Sequence, residues 1–243
     1  MNMLDDLQKD VKKIADPEKG KFLMRFFKTG AGQYGEGDIF YGLTVPQSRI
    51  LALKYKDLAL ADIEKLLQSK VHEERLIALL ILVYKFQNED PTSPRLRGAR
   101  KEIFDFYLAH TSYINNWDLV DLSADKIVGE YLKDKDRSLL SELANSDDLW
   151  EKRIAMVATF QFIKYLKEYK DTFLIADILL HDKHDLIQKA VGWMLREVGK
   201  RVSEEKLEEF LKSRYRTMPR TCLRYAIERF SEERRKMYLQ GEI

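Results

Sequence analysis

Residues His72–Gln87 read HEERLIALLILVYKFQ, and the fold class follows from how the apolar positions recur in this stretch. Leu76, Ile77, Leu80, Val83 and Phe86 are spaced by three and four, the period of one helix face. The same pattern returns in Leu149–Leu166 (LWEKRIAMVATFQFIKYL) through Ile154, Val157, Phe160, Ile163 and Leu166. It returns again in Asp185–Val198 (DLIQKAVGWMLREV) through Ile187, Val191, Met194 and Leu195. No stretch alternates apolar and polar residues long enough to argue for a strand. The interruptions are short and polar: Asp16-Pro17, Asn88-Glu-Asp-Pro91, Lys133-Asp-Lys-Asp136 and Asn145-Ser-Asp-Asp148. They fit helix–helix connections and N-caps rather than interdomain linkers. The chain is expected to be all-α, with roughly a dozen helices.

The helices repeat. Arg75-Leu-Ile-Ala, Arg153-Ile-Ala-Met and Lys189-Ala-Val-Gly each place a base before small and apolar residues, at spacings of 78 and then 36 residues. One further repeat should lie between the first two, and Tyr113-Ile-Asn-Asn-Trp-Asp-Leu-Val-Asp121 opens a helix about 40 residues after Arg75. A period near 36–40 residues built from helix pairs predicts a HEAT-like repeat α-solenoid, one domain over residues 1–243, with a concave groove lined by equivalent positions. An irregular helical bundle with coincidental spacing is the competing reading.

Composition narrows the class. Only 11 Gly and 5 Pro in 243 residues speak against a sandwich or barrel, which needs frequent turns. A single cysteine, Cys222, excludes a disulfide framework and a cysteine zinc finger; a small buried hydrophobe is its expected role. The opening MNMLDDLQKDVKKIA carries acids where a signal peptide carries bases, and no apolar run reaches a membrane span. The expectation is a soluble, cytoplasmic protein with no membrane contact. The net charge is +2, but it is uneven: Leu186–Ile243 holds 14 bases and 9 acids, and Leu211–Tyr225 holds five bases (Lys212, Arg214, Arg216, Arg220 and Arg224) and no acid. Such a stretch suits a polyanion, although a solvated helix face has the same composition.

Three motifs bear on chemistry. Gly30-Ala-Gly32-Gln-Tyr-Gly35 has the spacing of a dinucleotide fingerprint but follows a helical stretch and is trailed by Glu36 and Asp38, which would repel a pyrophosphate. It is expected to be a loop. His181 and His184 form an isolated H-x-x-H beside Asp182 and Asp185; without converging ligands it is expected to be a polar helix start, so no metal site is assigned. In Asn116-Trp117-Asp118-Leu-Val-Asp121-Leu-Ser-Ala-Asp125, Trp117, Asp121 and Asp125 are four apart and so share one side of a helix. Asp118 fits a first-turn acid, capped by Asn115 or Asn116. Asp121, between apolar Val120 and Leu122, is a candidate site carboxylate or an exposed helical acid. Arg153 and Lys189 occupy equivalent places in later repeats and Trp193 lies one turn past Lys189, so one carboxylate, two indoles and two bases would line one groove; core indoles and capping bases are the alternative.

At these residues the sequence resembles the AlkD-like family of DNA alkylation-repair glycosylases, which are built from HEAT-like repeats. The matching stretches are Gly42-Leu-Thr-Val-Pro46-Gln-Ser-Arg49, Trp117-Asp-Leu-Val-Asp121, Trp150-Glu-Lys-Arg153, Ile187-Gln-Lys-Ala-Val-Gly-Trp193-Met-Leu-Arg196-Glu and Met218-Pro-Arg220-Thr-Cys-Leu-Arg224-Tyr-Ala-Ile-Glu228-Arg-Phe. The resemblance implies hydrolysis of the N-glycosidic bond of positively charged N3- or N7-alkylated purines in double-stranded DNA; no metal or cofactor is expected, and a solenoid with an open groove can work as a monomer. It places the catalytic carboxylate on Asp121, the sugar- and lesion-facing indoles on Trp117 and Trp193, and a phosphate contact on Arg153, with Arg196 a further DNA contact. Lys189, Arg220 and Arg224 would hold the phosphate backbone. A third aromatic, a Tyr in the founding member, falls on Phe26, which keeps the ring and loses the hydroxyl. The loop Thr29–Tyr41 is longer than in the founding member. A HEAT-like module that binds damaged or structured DNA, or a protein, without catalysis is the second class.

Overall fold

The stretch His72–Gln87 forms the most buried helix of its half of the chain, and its neighbours are arranged around it. The computed structural model describes residues 2–88 and 98–243 in full and the backbone of 94–97. The break expected at Asn88–Pro91 therefore lies, past Asn88, outside the described residues. The chain divides into two compact units, Met1–Ser123 and Ala124–Ile243. Among the described residues there are helices, turns and one isolated bridge, Ile39 with Val71, and no strand.

The first unit holds α1 (Met3–Lys13), α2 (Pro17–Phe26), α3 (Val45–Lys54), α4 (Leu60–Leu67), α5 (His72–Asn88), α6 (Pro94–Ala109) and α7 (Trp117–Asp121). Helix α5 packs against α3, α4, α6 and α7. Every residue from His72 to Val83 is buried, so α5 has no solvated face along its first three turns.

The polar breaks become caps. Asp16 accepts the Lys19 N–H at 3.1 Å at the start of α2. Thr44 and Gln47 form a reciprocal capping box at α3, with Pro46 in its first turn. Between them Gly42 takes φ of 87°, and a Cβ there would sit 2.2 Å from the Asp16 carbonyl oxygen. Gly42 thus serves the backbone twice, by left-handed geometry and by close approach.

The second unit holds α8 (Glu130–Leu132), α9 (Ser138–Ala144), α10 (Leu149–Ala158), α11 (Lys170–Leu179), α12 (Asp185–Arg201), α13 (Glu204–Lys212), α14 (Arg220–Ala226) and α15 (Glu232–Gln240). Here α9 packs on α10 and α11, and α10 and α14 both pack on α12. Two rows of helices, each stacked on its sequence neighbours, is the packing of α-helical repeats. The contact of α12 with α14 is close because Gly192 has no Cβ; one would meet the Cys222 carbonyl oxygen at 2.4 Å.

The single helix expected over Leu149–Leu166 is interrupted. Thr159 turns, its hydroxyl donating to the Met156 carbonyl at 2.8 Å. A π-type turn at Phe162–Leu166 follows and ends at left-handed Lys167. A threonine that bonds its own preceding turn competes with the helical ladder, which apolar spacing does not register.

Gly42→Ala is expected to cost about 3 kcal/mol or more, from strained φ plus a backbone clash. A urea titration should show the midpoint lowered with an unchanged slope.

Candidate active site

The opening turn of α5 is charged, His72-Glu73-Glu74-Arg75, and all four residues are buried. Buried charges require partners, and the partners here are distant in sequence. Glu73 accepts the backbone N–H groups of Tyr41, Gly42 and Leu43 at 3.0, 2.8 and 3.1 Å. This carboxylate fastens the chain that leads into α3.

His72 lies between two acids. Its Nε2 is 2.8 Å from Asp118 Oδ2 and its Nδ1 is 3.3 Å from Asp38 Oδ2. Arg75 donates to the same Asp38 oxygen at 2.5 Å and to the Ser69 carbonyl at 2.8 Å. With the imidazole protonated, two cations balance two carboxylates. The ring is flanked by Phe40, stacked at 4.4 Å, and by Phe27, tilted at 5.1 Å. Burial alone would push the imidazole down; the Asp118 charge and the hydrogen bonds to Asp118 and Asp38 outweigh it and raise the ring to about 9. For Asp38, burial pushes up, but the His72 hydrogen bond and the Arg75 charge hold the carboxyl below the usual range.

Asp118 belongs to α7, which carries two of the candidate site residues. Asn116 caps this helix, its side-chain oxygen accepting the Trp117 N–H at 2.8 Å. The Trp117 indole is half-buried, stacked on Phe27 at 5.1 Å and 13°, with Phe26 edge-on at 6.0 Å. Phe26 is 54% exposed and lies parallel to exposed Phe22 at 6.3 Å. The aromatic surface beside Trp117 therefore opens to solvent on its α2 side. Asp121, half-buried, stands four residues after Trp117 on the same side of α7.

The one continuous helix expected from Trp117 through Asp125 is interrupted. Helix α7 ends at Asp121, and Asp125 starts a separate π-type turn, Asp125–Gly129. The cause is Ser123, whose hydroxyl donates to the Leu119 carbonyl at 2.6 Å and meets the Tyr107 hydroxyl at 2.9 Å.

The remaining candidates lie in the second unit. Trp193, on α12, is half-buried with Phe160 at 6.2 Å. Lys189 pairs with Asp185 one turn earlier at 2.8 Å. Arg153 is 5% exposed, and its Nη1 donates to the Leu186 carbonyl at 2.5 Å, which ties α10 to the start of α12. Arg196 pairs with Glu228 and lies 3.6 Å from Glu197. Arg220 donates to the Leu239 carbonyl at 2.7 Å, and Arg224 is exposed. Within the basic stretch, Arg214 is held by both oxygens of Asp177.

The other motifs resolve locally. His184 caps α12, its Nδ1 accepting the Leu186 N–H at 3.2 Å, a polar helix start as expected. Cys222 is buried, and burial pushes its thiol up to about 12, so it carries no thiolate near neutrality. In the glycine loop, the Glu36 carboxylate itself accepts the Gly32 N–H at 2.8 Å, and the next α-helix begins only at Val45. The loop is not a phosphate cradle on a helix start.

Residues 7–230 match the DNA alkylation repair enzyme family. The chain belongs to that family. A solved structure described as a predicted DNA alkylation repair enzyme from Enterococcus faecalis has a similar fold, with a TM-score of 0.66 at 19% identity. The similarity covers 90% of this chain and 97% of that one. No curated protein matches the sequence. Among the described residues, no helix is long and apolar enough to cross a membrane.

In this family member the spacing foretold that Trp117 and Asp121 share one helix, but not the buried charged group that holds Asp118 on it. In the sequence His72 stands only as the first residue of the apolar stretch, and Asp38 only as an acid trailing the glycines. A signal existed. A helix apolar on every side buries its first turn too, so HEER at its start requires counter-charges.

The His72 value lies above the ordinary imidazole value near 6.5. Its contribution to folding is therefore complete below about pH 6.5 and is lost as pH rises through 9. Denaturant unfolding at a series of pH values should show stability falling over that window by about 3 kcal/mol. In His72→Gln this fall should be absent.

Proposed function

We propose that this protein is a monofunctional DNA glycosylase that hydrolyses the N-glycosidic bond of N3- or N7-alkylated purines. The observation that carries the reading is the pairing of Trp117 with Asp121 on one side of α7, beside the open Phe26 and Phe22 surface. Membership of the DNA alkylation repair enzyme family supplies DNA as the class of substrate.

The chemistry asks for these groups. An alkylated purine is a cation and already a good leaving group, so neither a strong general acid nor a metal is required. The sugar becomes oxocarbenium-like as the bond breaks. The Asp121 carboxylate would stabilise that charge and orient the attacking water. The Trp117 face, and the Trp193 face in the second unit, would attract the cationic base or the polarised sugar by cation–π contact, worth roughly 0.5–2 kcal/mol. Phe26 offers the same kind of ring without a hydroxyl.

The bases divide by how their heads are held. Arg224 and Lys189 have heads that reach solvent and suit phosphate contacts. Arg153, Arg196 and Arg220 would act toward the backbone from positions fixed by Leu186, Glu228 and Leu239. Binding would accordingly weaken with salt.

The purified protein, without added metal, should release 7-methylguanine from methylated duplex DNA. Asp121→Asn should lower single-turnover release by about 10²- to 10³-fold, as for loss of one preorganised charge contact. Its DNA affinity should change little. Salt-sensitive binding with no free base over many hours would instead identify a non-catalytic module. Borohydride should trap no protein–DNA adduct, since no lysine serves as a Schiff-base nucleophile in this mechanism.

A further inference from the structure

Asp118 sits one residue after Trp117 and three before Asp121, in the first turn of a helix only five residues long. So short a helix has little stability of its own, and its side chains are held by what its ends are fastened to. At its start the fastening is Asn116 capping the Trp117 N–H and Asp118 bound to His72. The same imidazole holds Asp38 on the 29–41 loop, and Arg75 on α5 completes the charge balance. Phe27, at the end of α2, and Phe40 pack on the ring, and Phe27 also stacks on the Trp117 indole. The end of α2, the 29–41 loop, α5 and α7 therefore meet at one imidazole.

We propose that His72 is a positioning residue for base excision, its imidazolium bridging Asp38 and Asp118 to fix the start of α7 and with it Trp117 and Asp121. This rests on the glycosylase reading for its chemistry but not for its geometry. Removal of the proton leaves two carboxylates facing one another across a neutral ring; among the described residues Arg75 remains on the Asp38 side, and Asp118 keeps the Leu119 N–H at 2.9 Å but no cation. The start of α7 then loses its charged anchor, and a displacement of about 1 Å in a catalytic group is enough to cost on the order of 100-fold in rate. The raised proton affinity of the ring agrees with this arrangement.

The test has two readouts. The first is single-turnover release of 7-methylguanine between pH 6.5 and 10, corrected for spontaneous loss, at a temperature where the protein stays folded. The wild-type rate constant should fall as pH passes about 9. Asp118→Asn should move that fall to lower pH. His72→Gln should abolish it and leave a rate about 10- to 100-fold lower throughout, with DNA affinity little changed. A folded His72→Gln protein with the wild-type rate and pH profile overturns the proposal.

The second readout needs no activity. With 5-fluorotryptophan at the three Trp positions, and the Trp117 signal assigned by Trp117→Phe, the 19F resonance of Trp117 should shift through the same pH range in the wild type. In Asp118→Asn the shift should come at lower pH. An invariant Trp117 signal overturns the proposal even if His72→Gln fails to fold. If Trp117 titrates and no base is released by the wild type, the glycosylase reading fails while the positioning of α7 by His72 stands.

Discussion

A protonated imidazole buried between two carboxylates is the constraint on which the first unit depends. Three structural requirements converge on it. The apolar helix α5 must bury its opening turn, the 29–41 loop must be held against that turn, and the five residues of α7 must be fixed at their start. His72 meets all three because an imidazolium donates from both nitrogens, in opposite directions, to Asp38 and Asp118. A neutral ring has one donor and one acceptor and would leave one of these carboxylates facing a lone pair. Removing one member of a buried charged group typically costs about 3–5 kcal/mol, because the others lose their counter-charge. The cluster is thus a specification of geometry more than a source of net stability.

The proposed chemistry follows from what is held there. A cationic purine leaves readily, so the enzyme's task reduces to presenting a carboxylate and flat rings to a sugar that is losing electrons. Such a site demands placement more than reactivity. Indole faces need no activation. In the second unit Trp193, Lys189 and Arg196 lie on α12 and Arg224 on α14. In that unit Gly192 permits close contact of α12 with α14 immediately beside Trp193.

Much of this was legible in the sequence, for reasons that can be stated residue by residue. Helical class followed from three- and four-residue spacing in α5, α10 and α12, and the caps Asp16 and Asp148 stand where polar breaks met apolar runs. Trp117 and Asp121 were legible because i to i+4 is a local relation. What depended on side chains bonding their own backbone was not: Ser123 ends the α7 region before Asp125, and Thr159 breaks the run that spacing continued to Leu166. Long-range partnerships were also hidden. His72 finds Asp38 and Asp118 across 34 and 46 residues, and Arg153 finds the Leu186 carbonyl across 33. Periodicity reports which face is apolar. It does not report which buried charge answers which.

The most direct test of the central claim is the protonation state of His72 itself. In protein labelled with 15N at its four histidines, long-range proton–nitrogen correlation resolves both ring nitrogens of each, and His72→Gln assigns the relevant pair. At pH 8 both nitrogens of His72 should carry protons, with a midpoint near 9 that falls when Asp38 is replaced by Asn. A single neutral tautomer at pH 7, unaffected by that replacement, would contradict the account.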